Sequence, residues 1–356
     1  MVEYRSGSTV RMLGHSTLVG MRRRTFLHGM VTGGALASLQ LLPGCVRGES
    51  RASQPRSAAA ARLADRGPII DVHLHAYPAD AAFAPSLTNP ANGRPPGVAN
   101  GEEHLRACLA EMKRLGIVTA VVSGGDGDRL AAAMHWHDAA PERIIPAAGV
   151  RGSEEIPLPE LGVMRKAFAD GKLRVLGEVT AQYAGRSLGD PLYAPYLALA
   201  EEFDIPVSVH MGMGPPGVSY DPCCRGFRAA LGNPAVLEEC LNRHPKLRLN
   251  VMHAGWPYLQ ETIALLFMYP QVFTDLAALD WITPRAEFYA YFGALVRAGF
   301  GQRILFGTDQ MYWPEAIGLA VESVDAAPFL TPELKRDIFY NNAVRFLKLP
   351  DRSAHA

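Results

Sequence analysis

From residue 67 onward, short apolar runs alternate with longer stretches whose hydrophobic positions recur every three to four residues. The short runs are rich in β-branched residues, and this alternation predicts repeating β/α units. The strands it predicts are 69–73, 118–122, 144–149, 175–179, 207–210, 247–252, 272–276 and 304–306. Between them the periodicity predicts helices over 102–115, 192–203, 234–244, 258–268 and 285–298. A last helix is predicted over 332–347, with Thr331 as its N-cap and Leu334, Ile338 and Phe339 on its inner face. Gly116, Pro245 and Gly299 stand where three of these helices must stop. Two stretches, 76–101 and 211–228, are rich in Pro and Gly and have no clear period. Loops of that length in a compact domain usually carry function.

Eight strand–helix repeats over about 280 residues fit a (β/α)8 TIM barrel. A doubly wound open sheet is the alternative. The polar residues that end the strands favour the barrel. His73 and His75 close the first apolar run, Glu178 the fourth, His210 the fifth, His253 the sixth, and Asp309 follows the eighth. A barrel brings all strand ends to one mouth, whereas an open sheet spreads them along an edge.

Composition changes the picture at one end only. The 356 residues carry 35 basic and 35 acidic side chains, but residues 1–66 hold ten arginines against Glu3, Glu49 and Asp65. The remaining body is therefore acidic and lacks a basic stripe, which argues against a nucleic-acid partner. Arg22-Arg23-Arg24-Thr25-Phe26-Leu27 precedes a mild apolar stretch that ends in Leu42-Pro43-Gly44-Cys45. These residues resemble a bacterial twin-arginine signal followed by a lipoprotein cleavage box. That resemblance implies export through the twin-arginine translocase, a lipid on Cys45 and residence on the periplasmic side of the envelope. Glycines and Pro43 interrupt the run, and it is short for a transmembrane anchor. Met21 directly before the arginines offers an alternative start. Residues 1–45 thus read as a signal, 46–66 as an Ala-, Ser- and Arg-rich tether, and 67–350 as one barrel domain. Cys108, Cys223, Cys224 and Cys240 fix no disulfide pairing by spacing. Adjacent Cys223 and Cys224 are expected as loop and core residues rather than as a pair.

The strand-end residues form a nitrogen and oxygen donor set. Imidazoles two apart on a strand share a face, so His73 and His75 can grip one ion. In a barrel, Asp309 would join them, His210 and His253 would seat a second ion, and Glu178 would lie between the two. Such a set suits Zn2+, with Mn2+, Fe2+ or Co2+ as alternatives, in one or two copies. A cation there would activate water, and Asp309 would take and return the proton.

This pattern resembles the amidohydrolase superfamily of metal-dependent barrel hydrolases. Arg243-His244-Pro245-Lys246-Leu247 before His253-Ala254-Gly255, and Asn341-Asn342-Ala343, are similar to its amidohydrolase 2 branch. The resemblance implies metal ligation by His73, His75, Glu178, His210, His253 and Asp309, with Asp309 also catalytic. It implies hydrolysis of an amide, lactone, ester or phosphoester. Members with one metal act instead as decarboxylases or hydratases of aromatic or unsaturated acids, with His253 on the substrate. A catalytically silent, metal-stabilised envelope binding protein is the reading from another class. Self-association into a homo-oligomer stays open.

Other candidates are weaker. Arg151, Tyr183, Gln182 and Trp256 follow strands and are candidates to touch substrate. His135 and His137 lie on a helix, where residues two apart diverge. His244 fits a helix C-terminus, His104 a solvated first turn, and Asp126 a turn. Ser187, Ser208 and Ser219 have no evident base and acid partners for a serine hydrolase.

Overall fold

The computed structural model describes residues 67–124, 129–154 and 156–350. The twin-arginine stretch, Cys45, the tether and Asp126 lie outside the described residues. Eight parallel strands follow one another around a single sheet: β1 (Ile69–Ala76), β2 (Ile117–Gly124), β3 (Ile144–Val150), β4 (Val175–Val179), β5 (Val207–Val209), β6 (Leu249–Val251), β7 (Val272–Asp275) and β8 (Ile304–Leu305). Between β8 and β1 the seam is joined by backbone bonds from Val72 N–H to Phe306 O, 2.9 Å, and from Asp309 N–H to His73 O, 2.7 Å. The result is the (β/α)8 barrel that the strand-end residues favoured. No helix among the described residues is long and apolar enough to cross a membrane.

Local chemistry explains where the elements start and stop. The first helix, α1 (Gly101–Leu115), is capped by Asn100, whose side chain accepts from Glu103 N–H at 2.9 Å. Glu103 reaches back to Ala99 N–H at 2.8 Å, and Gly116 ends the helix in the left-handed region. Its inner face buries Leu105, Cys108, Met112 and Leu115 against the sheet.

The predicted helix over 332–347 is not continuous. It runs as Pro332–Arg336, a π-helical turn Asp337–Asn341, then Asn342–Leu347. Ile338 O accepts from Phe306 N–H at 3.1 Å, so this helix lends a carbonyl to the chain leaving β8. Asn342 donates its side-chain amide to Gly301 O and Ile304 O. The predicted helix over 234–244 begins as a 3-10 turn, Pro234–Leu237, before Glu238–Arg243.

An apolar layer of Ile70, Val72, Val121, Ile145, Val175 and Leu305 fills the base of the barrel and packs on Tyr340 and Phe346. The larger cluster lies between sheet and helices, with Trp136, Phe288, Phe292 and Phe339 among its fully buried side chains. Burial of this kind is worth about 25 cal/mol per Å² of apolar surface.

Besides an extra step in β2 between Ile117 and Thr119, β1 and β4 depart from simple pairing close to the strand-end donors. Between Asp71 and Leu74, β1 uses three steps where β2 uses two, Ala120 to Val122. Between Leu176 and Val179, β4 does the same against Val207 to Val209 of β5. Each strand therefore holds one extra residue, a bulge that re-aims side chains. In β1 the bulge lets Val72 line the barrel base while His73 and His75 face the mouth. In β4 it falls at Gly177-Glu178, where a Cβ on Gly177 would lie 2.8 Å from Ser208 Cβ and O.

Candidate metal centre

The six residues expected as ligands converge at the C-terminal mouth. His75 Nε2 is 2.9 Å from Asp309 Oδ1 and 3.4 Å from Glu178 Oε2. His73 Nε2 lies 3.9 Å from Glu178 Oε2 and 3.8 Å from Asp309 Oδ1. On the other side of Glu178, His210 Nδ1 is 2.8 Å from Oε1 and His253 Nε2 is 3.8 Å from it. His210 Nδ1 and His253 Nε2 are 3.0 Å apart. The donors thus form two trios, His73–His75–Glu178 and Glu178–His210–His253, each with its atoms within 4.8 Å of one another and both containing Glu178.

Backbone geometry helps aim them. His253 (φ 57°) and Asp309 (φ 48°) both adopt the left-handed region, uncommon for residues with a Cβ. There the chain leaves its strand sharply and turns these side chains over the mouth.

Electrostatics mark the cluster as a cation trap. Burial opposes ionisation of Glu178, yet hydrogen bonds and charge from His210, His253 and His73 outweigh it and hold the carboxyl well below the usual range. Burial also opposes ionisation of Asp309, but His73, His75 and His253 bring it down to about 2. Desolvation works against protonation of His73, but Asp309, Asp275 and Glu178 outweigh it and push the imidazole up to about 10. Both ring nitrogens of His73, and Nε2 of His210, are buried with no hydrogen-bond partner. Buried polar atoms without partners are costly. His73 Nε2 faces the Glu178 and Asp309 carboxylates at 3.9 and 3.8 Å and its Nδ1 faces Asp275 at 3.6 Å, so the donor set fits a divalent cation.

The residues behind the donors include several that sequence reasoning missed. Asp275, the last residue of β7, accepts from His253 N–H at 2.8 Å, lies 3.6 Å from His73 Nδ1, and forms a further potential trio with these two histidines. Asn250 holds its other oxygen at 2.8 Å. Asp71 accepts from His73 N–H at 3.0 Å and from Thr308 Oγ1 at 2.7 Å. Burial raises its pKa to about 7 against those bonds. Gln310 clamps the backbone of His75 through both its N–H and its C=O. Asp275 had a legible signal, since like His210 it ends a short apolar run. Placing the strand's end at Leu276 hid it.

The expected substrate contacts divide. Arg151, just past β3, is buried, and Tyr183, just past β4, stands edge-on to His210 with ring centroids 4.9 Å apart. Trp256 is instead partly buried against the hydrophobic core, and Gln182 donates to Gly212 O and Arg228 O, a structural role.

Among the remaining expectations, His135 pairs with Glu102 at 2.9 Å and His137 with Ile144 O at 2.8 Å, so neither chelates. His244 follows the helix Glu238–Arg243 and pairs with Glu201. His104 overturns its expectation of a solvated first turn. It is fully buried among Tyr77, Phe83 and Trp136, because α1 rolls that face onto the loop after β1. Cys223 and Cys224, expected as separate loop and core residues, form a disulfide with each other. The tight 3-10 turn Pro222–Cys224 brings their sulfurs together.

A family model described as amidohydrolase (Amidohydro_2) matches residues 70–349. The chain belongs to the amidohydrolase family. Among solved structures, a probable 2-pyrone-4,6-dicarboxylic acid hydrolase from Acinetobacter baumannii superposes with a TM-score of 0.56 at 14% identity, over 79% of this chain and 99% of that one. A 5-carboxyvanillate decarboxylase from Novosphingobium aromaticivorans, solved with bound manganese, gives a TM-score of 0.55 at 14% identity, over 80% and 98%. Both likenesses are of fold. Protein fluG of Emericella nidulans is 24% identical over 115 residues, 32% of this amidohydrolase, and the match spans only 12% of fluG. Family membership supports an enzyme, and the buried histidine–carboxylate cluster supports a divalent metal.

Proposed function

We propose that this amidohydrolase is a metal-dependent hydrolase that cleaves an amide, lactone, ester or phosphoester of a small molecule. The observation that carries this reading is the sharing of Glu178 by two donor trios. His73, His75 and Asp309 with Glu178 would hold one cation, and His210 and His253 with Glu178 a second, zinc in both cases. When bound, the cations supply Lewis acidity that makes water a nucleophile at neutral pH. Asp309, ionised at the mouth, accepts a proton at its carboxylate and returns it to the leaving group. Asp275 and Ala277 O hold His253 from behind, at its N–H and its Nδ1, which leaves Nε2 for the centre.

Metal stoichiometry of the purified protein tests this directly. About two ions per chain supports the hydrolase. About one ion shifts the reading to decarboxylation or hydration of an unsaturated or aromatic acid; the manganese-containing neighbour is named a decarboxylase. An Asp309→Asn variant that keeps metal and loses turnover supports catalysis over a silent binding protein. The protein is further proposed to be an exported lipoprotein, on the strength of the Arg22–Leu27 and Leu42–Cys45 motifs. Fatty-acid labelling of the cell-grown protein that persists in a Cys45→Ser variant would refute the lipid at that residue.

A further inference from the structure

Arg151 is a buried guanidinium. It is 8% exposed, and among the described residues no carboxylate pairs with it. Its Nε donates to Thr180 Oγ1 at 3.3 Å and its Nη1 to Cys224 Sγ at 3.8 Å. A guanidinium carries five donors, so most of its capacity is unspent. Its backbone is fixed by Tyr193, whose hydroxyl donates to Arg151 O. Thr180 is in turn anchored to Val150 O at 3.3 Å.

The group is linked to the metal centre through the Tyr183 ring, which touches both the guanidinium and His210. The Arg151 Cζ lies 5.1 Å from the Tyr183 ring centroid, and the His210 ring is 4.9 Å from the same centroid. Guanidinium and metal-side imidazole are therefore at most about 10 Å apart, the span of a small acid with its scissile bond a few atoms from its carboxylate.

The disulfide lies against the guanidinium through Cys224 Sγ. Asp221 caps the turn by accepting from Cys223 N–H at 3.1 Å, and Phe227 N–H bonds Cys224 O at 2.8 Å. Phe227 packs edge-on to Tyr183 at 5.0 Å, so the disulfide turn and the guanidinium both rest on the Tyr183 ring. With Cys223 bonded to it, the Cys224 sulfur cannot rotate away from Arg151. A free thiol could.

We propose that the Cys223–Cys224 disulfide is a positioning element that aims Arg151 into the mouth, where the guanidinium binds the carboxylate of an acidic substrate. The inference deepens the hydrolase reading and rests on it. Charge-assisted, two-pronged bonds of this kind are among the stronger polar contacts. Cys223 is exposed and Cys224 buried, so the bond is open to reductants from one side. A dithiol such as dithiothreitol gives the bond two electrons and two protons and closes into its own cyclic disulfide.

Calorimetric titration of the full chain with glutarate, and with its uncharged diamide as control, reads the subsite without turnover. Wild type is expected to bind glutarate and not the diamide. Arg151→Met is expected to weaken glutarate by about tenfold or more, with Arg151→Lys between the two because it keeps charge but loses the fork. Dithiothreitol on wild type, and the double variant Cys223→Ser/Cys224→Ser without reductant, are each expected to weaken it about three- to tenfold. Equal binding by wild type and both Arg151 variants, or none by wild type at millimolar glutarate, overturns the carboxylate subsite. Equal binding by oxidised, reduced and double-serine protein overturns the positioning role. Failure of the hydrolase reading appears separately, in metal stoichiometry and turnover.

Discussion

His104 ties the acid stability of this protein to one buried imidazole. It is fully buried, ringed by Tyr77, Phe83 and Trp136 at centroid distances of 5.4, 5.5 and 5.6 Å, with Cys108 Sγ 3.6 Å from its Nε2. Burial pushes its pKa down from 6.5 to about 3. Between those values the unfolded chain binds the proton and the folded protein does not. Stability is therefore intact above pH 6.5 and falls as pH drops toward 3. At pH 5 the loss from this residue is about 2 kcal/mol, since each unit of pKa difference is worth about 1.4 kcal/mol. A His104→Met variant keeps an adaptable apolar side chain and removes the titration. Urea unfolding of both proteins at pH 7.5 and pH 5 gives four midpoints. With a slope of about 3 kcal/mol per molar, the wild-type midpoint should drop by about 0.7 M more than that of the variant. Acid sensitivity from other groups cancels in this comparison. Equal drops in the two proteins would show that His104 is protonated in the fold, and the reasoning from burial would fail.

Thr308→Val removes the hydroxyl that donates to buried Asp71 at 2.7 Å and should cost about 1.5–3 kcal/mol, or about 3–6 °C in thermal midpoint; a shift under about 1 °C contradicts it. Gly307→Ala places a methyl 2.9 Å from His73 Cβ, so chelator competition should show metal held about tenfold more weakly, with about 1–3 kcal/mol of stability lost. Unaltered metal affinity would mean that His73 yields without consequence. Glu178→Gln should reduce bound metal from about two ions per chain to about one, and retention of both would remove Glu178 from the shared position.

The barrel was legible because strand periodicity and strand-end chemistry agreed. The strand over 175–179 matches in both limits, and others differ by one to three residues at an end. The six donors were legible for the same reason: a polar residue ending an apolar run is costly unless it has work at the mouth. What the chain hid was the third dimension. No periodicity announces that β1 and β4 each hold an extra residue, although that residue is what sets the faces of His73 and Glu178. His104 follows two acids in a first turn and reads as solvated, while the loop after β1 folds over it. Asp71 was visible beside His73, but its bond to Thr308 spans 237 positions. Cys223-Cys224 was visible too, but only the turn shows that the two sulfurs meet.

The seam between β8 and β1 also sets an order of assembly. β8 has two residues, and the bonds that join it to β1 come from Val72, Asp309 and the Asp71 carboxylate. A chain emerging from the ribosome has His73, His75, Glu178, His210 and His253 outside long before Asp309 arrives. Five donors without the sixth make a ring still open on one side. The last strand supplies both the stitch that shuts the ring and the sixth donor, so the complete set of donors exists only in a finished barrel. Tight retention of an ion by all six donors would therefore report completed synthesis and closure, and a truncated or misthreaded chain would lack it.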